Sequence, residues 1–214
     1  MRGKELLTPD QRNLFMSIPD DMSEHDIERH YTFTSEDLEF INKHRRNHNR
    51  LGIALQLAVL RYPGWTLFQI KDIPNQILDY IAKQINVSPE EYTQYAKRIA
   101  TRNEHLEELR QQYGYKNLSF STYRIIAHYT LQCALENGNT DYLIRSTIEE
   151  LRRQKVILPA MTTIERIVWE ARQRAEDKIF KSLVFTLNES QKLQLDQLLD
   201  INSTYSMTGS VAKF

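Results

Sequence analysis

The chain is poor both in residues that punctuate structure and in residues that staple it. One cysteine in 214 residues, Cys133, excludes a disulfide framework and any cysteine-rich metal cluster within one chain. Six glycines and six prolines leave little material for frequent turns. That scarcity argues against a β-sandwich or barrel and for helices joined by short loops. Net charge is also missing, since 28 Lys and Arg balance 28 Asp and Glu. Bulk positive charge is therefore not what would hold this chain to nucleic acid. No long apolar run exists either: the most apolar stretch, Leu51 to Leu60, falls far short of the roughly 20 residues that span a bilayer. The opening Met1-Arg2-Gly3-Lys4-Glu5 leads into no signal-peptide core. The expectation is a cytoplasmic protein of one large domain or two small ones.

What is present is the composition of a folded domain, with 41% hydrophobic residues, too many for a disordered chain. The charges are unevenly placed. Residues 20–39 carry eight acids against the lone Arg29, whereas residues 41–71 carry Lys43, Arg45, Arg46, Arg50, Arg61 and Lys71 and no acid. This is either one basic surface on a neutral protein or clustering on solvated helix faces.

Helix starts are well marked. Thr8-Pro9-Asp10-Gln11 combines a hydroxyl cap, a proline at the first helical position and a Gln able to reach back to the cap N–H. Ser88-Pro89-Glu90-Glu91 repeats the pattern, and Thr34 with Asp37, Thr162 with Glu165 and Asn188 with Gln191 are looser versions. From these signals helices are predicted over 8–17, 23–31, 34–44, 47–61, 74–86, 88–99, 102–113, 120–137, 140–155, 162–185 and 188–200. No stretch alternates long enough for a strand, so the fold class is all-α. Breaks at Tyr62-Pro63-Gly64, Val87-Ser88-Pro89 and Leu158-Pro159 predict a first unit over 1–86 and a second over 87–160. Residues 161–214 follow as a long helix, a short helix and a linker. The tail Ile201 to Phe214, without cap or stop, reads as a cut end inside a longer protein.

The segment Lys43-His44-Arg45-Arg46-Asn47-His48-Asn49-Arg50 is the most informative. It opens the 47–61 helix, whose Leu51, Ile53, Leu55, Leu57, Val59 and Leu60 are apolar nearly all round and demand burial. Cations at a helix N-terminus oppose the macrodipole by about 0.3–1 kcal/mol each. A docked phosphate would reverse that penalty, because backbone N–H groups, dipole and Arg side chains would share one anion. Asn and Arg also suit bidentate contacts with adenine and guanine edges. Together with the 34–44 helix this resembles a helix-turn-helix; the bland alternative is a basic helix end without a ligand. A second polar segment, Lys116 through Ser119, Ser121, Tyr123 and Arg124, suits phosphate contacts unless its serines merely cap a helix. A third group, Lys97, Arg98 and Arg102, lies beside Glu104, Glu107 and Glu108 and is open to intrahelical pairing.

Catalytic constellations are lacking. His44 and His48 have the i,i+4 spacing of a helical metal pair, but no acid stands between or just beyond them, so no metal site is expected. Cys133 lies on an apolar face and reads as core. Eleven tyrosines find no Arg/His constellation and read as core edge. No Gly-rich phosphate loop occurs, and no cofactor is expected.

The run His48-Asn49-Arg50-Leu51-Gly52-Ile53-Ala54-Leu55-Gln56-Leu57, continuing to Leu60-Arg61-Tyr62-Pro63-Gly64, resembles the signature near the N-terminus of transposases of the Tn-three family of replicative transposons. Leu7-Thr8-Pro9 with Gln11-Arg12, His30-Tyr31-Thr32, Thr101-Arg102 with Glu104-His105-Leu106 and Glu108-Leu109, Leu158-Pro159, Thr162 to Glu176 and Leu187 to Leu199 are similar in the same order. The resemblance implies two helix-turn-helix-like DNA-binding modules, 1–86 and 87–160, that recognise terminal inverted repeats, followed by a long connecting helix. It implies double-stranded DNA as partner, no membrane, and nucleoid association when bound; a dimer of the full-length protein on paired ends is left open. The family's magnesium-dependent DDE chemistry belongs to a ribonuclease-H-like domain further along, so this fragment is expected not to be an enzyme. The residues expected at the DNA are Lys43, Arg45, Arg46, Asn47, His48, Asn49, Arg50, Arg61, Lys97, Arg98, Arg102, Lys116, Ser119, Ser121, Tyr123 and Arg124. A helical protein–protein adaptor without DNA binding is the alternative.

Overall fold

Helix starts and stops in the computed structural model, which describes residues 6–97 and 99–205, follow the capping chemistry closely. Helices α1 Pro9–Met16, α2 Glu24–Tyr31, α3 Ser35–Asn42, α4 Asn47–Arg61 and α5 Asn75–Gln84 come first. A 3-10 turn, Pro89–Glu91, leads into short α6 Tyr92–Ala96 and then α7 Ile99–Tyr113. Helices α8 Phe120–Glu136, α9 Thr140–Arg153, α10 Met161–Thr186 and α11 Glu189–Tyr205 complete the order. Among the described residues there is no strand, only an isolated bridge between Lys116 and Val156, and the protein is all-α. The tail reading applies in part to residues 206–214, which lie outside the described residues; α11 itself continues five residues past the predicted end at 200.

Three predicted capping boxes form. Thr8 with Gln11 and Thr34 with Asp37 exchange reciprocal bonds at α1 and α3. Asn188 and Gln191 do the same at α11, at 2.9 and 3.0 Å. Two do not. Ser88 makes no side-chain cap bond, because the chain enters a 3-10 turn there and not the continuous 88–99 helix. Thr162 lies inside α10, which starts at Met161, and its intended partner Glu165 turns to a tertiary role. Glu165 is buried, accepts from the Leu6 backbone N–H at 3.3 Å and from Arg12 Nη2 at 2.9 Å, and so fastens the first helix to α10.

Helix α4 is apolar on every side and accordingly becomes the centre. All ten residues from Leu51 to Leu60 are buried, and α2, α3, α5, α6 and α7 pack around it. The Ser88-Pro89 break is thus a turn within a packed group, since α6 and α7 beyond it lie on α4. Helices α8, α9 and α10 pack on one another. The two groups meet in one continuous core through the Gly64 turn. Leu158 N–H donates to Gly64 O at 3.2 Å, and Gln69 Nε2 donates to Leu158 O at 3.1 Å. Gly64 has φ +106°, and a Cβ there would stand 3.0 Å from both Arg152 Cγ and Leu158 Cδ1, so backbone and space both require glycine. Among the described residues, no helix is long and apolar enough to cross a membrane.

Candidate nucleic-acid interface

The turn between α3 and α4 brings four polar side chains to the surface: Lys43, Arg45, Arg46 and Asn47 are all exposed. None of them pairs with an acid among the described residues. Arg46 is the N-cap of α4 and makes no side-chain cap bond, and the first turn of the helix holds no acid. The free N–H end of the central helix therefore opens beside three cations, the arrangement that favours an anion. Only this end is available. A recognition helix lying in a groove needs one solvent-facing side along its length, and α4 has none beyond its first turn.

The remaining residues of that segment turn inward. His48 is buried, with Nδ1 3.7 Å from Glu91 Oε2 and Nε2 lacking a hydrogen-bond partner. Asn49 is half-buried, and its Oδ1 is buried without a partner. Arg50 donates from Nη2 to Ile85 O and to Asn42 Oδ1, both at 2.7 Å. Arg61 forms a two-pronged pair with buried Asp37, at 2.8 and 2.7 Å. Burial pushes the Asp37 carboxyl upward, but Arg61, the Thr34 backbone N–H and the Tyr113 hydroxyl together hold it at about 2. Arg102 donates to Leu67 O at 3.0 Å and lies over the Phe68 ring at 4.2 Å. Of the α7 acids, Glu107 pairs with Arg110, and Glu108 with His44. Lys97 is exposed, and Arg98 lies outside the described residues.

The second segment leads to a longer surface. Ser119 caps α8 by accepting from the Thr122 N–H at 3.2 Å, and Ser121 bonds to the Ser119 hydroxyl at 2.9 Å. Lys116 and Arg124 are exposed, while half-buried Tyr123 donates to Glu170 Oε2 at 3.2 Å. Beyond them α8 shows a continuous outer face formed by Ser121, Arg124, Ile125, His128, Tyr129 and Gln132, lining a wide shallow depression. The spacing is that of one helical face, and its hydroxyl, guanidinium, imidazole and amide groups match base-edge and phosphate contacts. Sequence reasoning missed Ile125, His128, Tyr129 and Gln132. Their i,i+4 recurrence was visible, but which face of α8 is buried depends on α9 and α10.

Beneath the α3–α4 turn sits a cluster anticipated only in part. His44 precedes α4, so it does not share a helix with His48. It stands instead against His105, ring centroids 4.9 Å apart, with its Nε2 3.0 Å from Glu108 Oε2. His105 is buried, its Nδ1 3.0 Å from the Tyr95 hydroxyl, which also accepts from the Gln56 amide. Burial first, then the neighbouring His44 and His48, hold the His105 imidazole down at about 4.

The stretches that carry the sequence resemblance are in mutual contact. His30 stacks on Tyr62 at 4.1 Å, Gln56 donates to Arg102 O at 2.9 Å, and Leu158 meets Gly64. A family model described as "Domain of unknown function (DUF4158)" matches residues 6–171, from the segment before α1 into α10. The chain belongs to that family. The transposase for transposon Tn1546 of Enterococcus faecium is 48% identical over 198 residues, covering 92% of this chain and 20% of that protein. The transposase for transposon Tn501 of Pseudomonas aeruginosa is 34% identical over 208 residues, covering 97% and 21%. The transposase for transposon gamma-delta of Escherichia coli (strain K12) is 32% identical over 203 residues, covering 92% and 20%. The resemblance to Tn-three-family transposases therefore holds, and the chain spans about a fifth of the length of these relatives. It is a transposon-related region.

Proposed function

We propose that this domain is the non-catalytic N-terminal part of a replicative transposase, binding the terminal inverted repeats of its transposon as double-stranded DNA in the bacterial cytoplasm. The observation that carries the reading is the pair of exposed polar surfaces on a domain whose relatives are named transposases. One surface is the Lys43–Asn47 turn at the open end of α4, within residues 1–86. The other is the outer face of α8, within residues 87–160. Each supplies cations for phosphates and side chains suited to base edges. On this reading the first approaches DNA end-on and the second along a helix face, each on its own stretch of one duplex.

The test is affinity of the 214-residue chain for duplexes carrying the ends of a candidate transposon, measured over a salt series against scrambled duplexes. The reading expects binding to the cognate end at least ~10³-fold tighter than to scrambled DNA and a steep loss with salt. Equal, salt-insensitive or absent binding overturns it. Strand cleavage by the purified chain with magnesium would contradict the non-catalytic assignment. The adaptor alternative draws on another observation, the exposed Phe180, Leu183, Val184 and Phe185 on the last turns of α10; it expects protein capture without DNA affinity.

A further inference from the structure

We propose that His44, His105 and Glu108 form a site for one divalent cation of the zinc class, clamping α7 to the turn before α4. One ligand atom from each of the three lies within 4.8 Å of the others. His105 and Glu108 are one turn apart on one face of α7, and His44 comes from a segment over 60 residues earlier.

The hydrogen bonds around the cluster are those of a prepared ligand set. The His44 Nδ1 lies 3.3 Å from Ile41 O, a contact that orients the ring when that nitrogen carries the proton. Its Nε2 faces the Glu108 carboxylate oxygen at 3.0 Å, a pair that closes when that nitrogen carries a proton and in which a metal ion would take the proton's place. Tetrahedral ligands on a cation with bonds of ~2.0–2.2 Å are separated by about 3.3–3.5 Å, so the pair opens by a few tenths of an ångström to take one. The His105 Nδ1 meets the Tyr95 hydroxyl, itself held by Gln56; with the proton on Nδ1 donated to that oxygen, Nε2 is the nitrogen to offer. Outer partners of this kind orient metal-binding imidazoles.

Two imidazoles with one carboxylate favour zinc, cobalt or nickel over magnesium or calcium, which take oxygen sets. Glu108 is half exposed and gives the ion its route from solvent. Three protein ligands leave a further position for water. Because Lys43 and Arg45 flank His44 in the chain, a bound dication also offsets the acid next to the exposed cationic turn.

The experiment strips the 214-residue chain with a chelator and titrates zinc chloride and cobalt chloride by calorimetry, absorption and thermal melting. The proposal expects one cation per chain with Kd of micromolar or tighter, visible cobalt bands, and a melting temperature that rises on saturation. Glu108→Gln and His44→Gln each weaken binding at least tenfold, while the remote His25→Gln leaves it unchanged. Should His105→Gln fail to fold, the Glu108 variant decides, since that side chain is half in solvent. Absence of one-to-one binding, or binding retained in both the Glu108 and His44 variants, overturns the site.

Discussion

At the scale of single residues, the positions with least freedom are those where two distant segments touch. Gly52 faces the Tyr95 ring so closely that a Cβ would collide with it, and both residues are fully enclosed. Gly52→Ala is expected to cost about 2–3 kcal/mol or more through overpacking, measured as a loss of thermal or denaturant stability. Asp37 is similar in consequence but different in cause. Its side chain is 2% exposed, and its charge is held by Arg61, Thr34 and Tyr113. Asp37→Asn leaves the Arg61 guanidinium without its counter-charge and is expected to cost about 2–4 kcal/mol. Because the folded carboxyl sits at about 2, below its ordinary 3.8, its contribution is complete above pH ~4 and is lost as pH falls toward 2. Unfolding curves across that window should therefore flatten in the Asn variant; an unchanged acid limb counts against this assignment.

Among the elements, α4 and α8 divide the cationic residues into those that hold the fold and those that face outward. Arg50→Ala removes donors from Ile85 O and Asn42, and stability should fall by about 1–3 kcal/mol while DNA affinity per folded molecule is retained. Arg46→Ala and Arg124→Ala remove exposed side chains. They should leave the melting temperature within about a degree, yet lower the slope of log affinity against log salt by about one if each meets a phosphate. A joint melting and binding series on the three variants separates the classes, and a stable Arg50→Ala with lost affinity would reverse them. Much of this was legible in the sequence. The Lys43–Asn47 cations stood out by charge alone, and the boxes at Thr8, Thr34 and Asn188 by local chemistry. Arg61 and Arg50 were not legible as internal residues, because their partners Asp37 and Ile85 lie 24 and 35 positions away. The same holds for Glu165, where a plausible local cap lost to a guanidinium 153 positions distant.

For the whole molecule, the stretches of resemblance and the two surfaces proposed to face DNA are different sets of residues. The longest stretch of likeness, His48 to Gly64, is mostly core, which explains why it announces the fold so clearly and the outer surface so poorly. Segments more than 150 positions apart are joined at Glu165, where Leu6 and Arg12 close onto α10. Glu165→Gln should release the first helix from α10 and expose residues 17–23 to faster limited proteolysis, with the core helices retaining their protection; an unaltered cleavage pattern argues against this latch. The burial of α4 has one more consequence. A helix fixed on all sides along its shaft cannot swivel to suit a new target, so the turn at its tip is insulated from the stability of everything behind it. Positions 43, 45, 46 and 47 thereby form a small evolvable patch. Diversifying those four alone should yield folded variants with altered preference for transposon ends, whereas the same diversity one turn deeper should mostly yield proteins that do not fold.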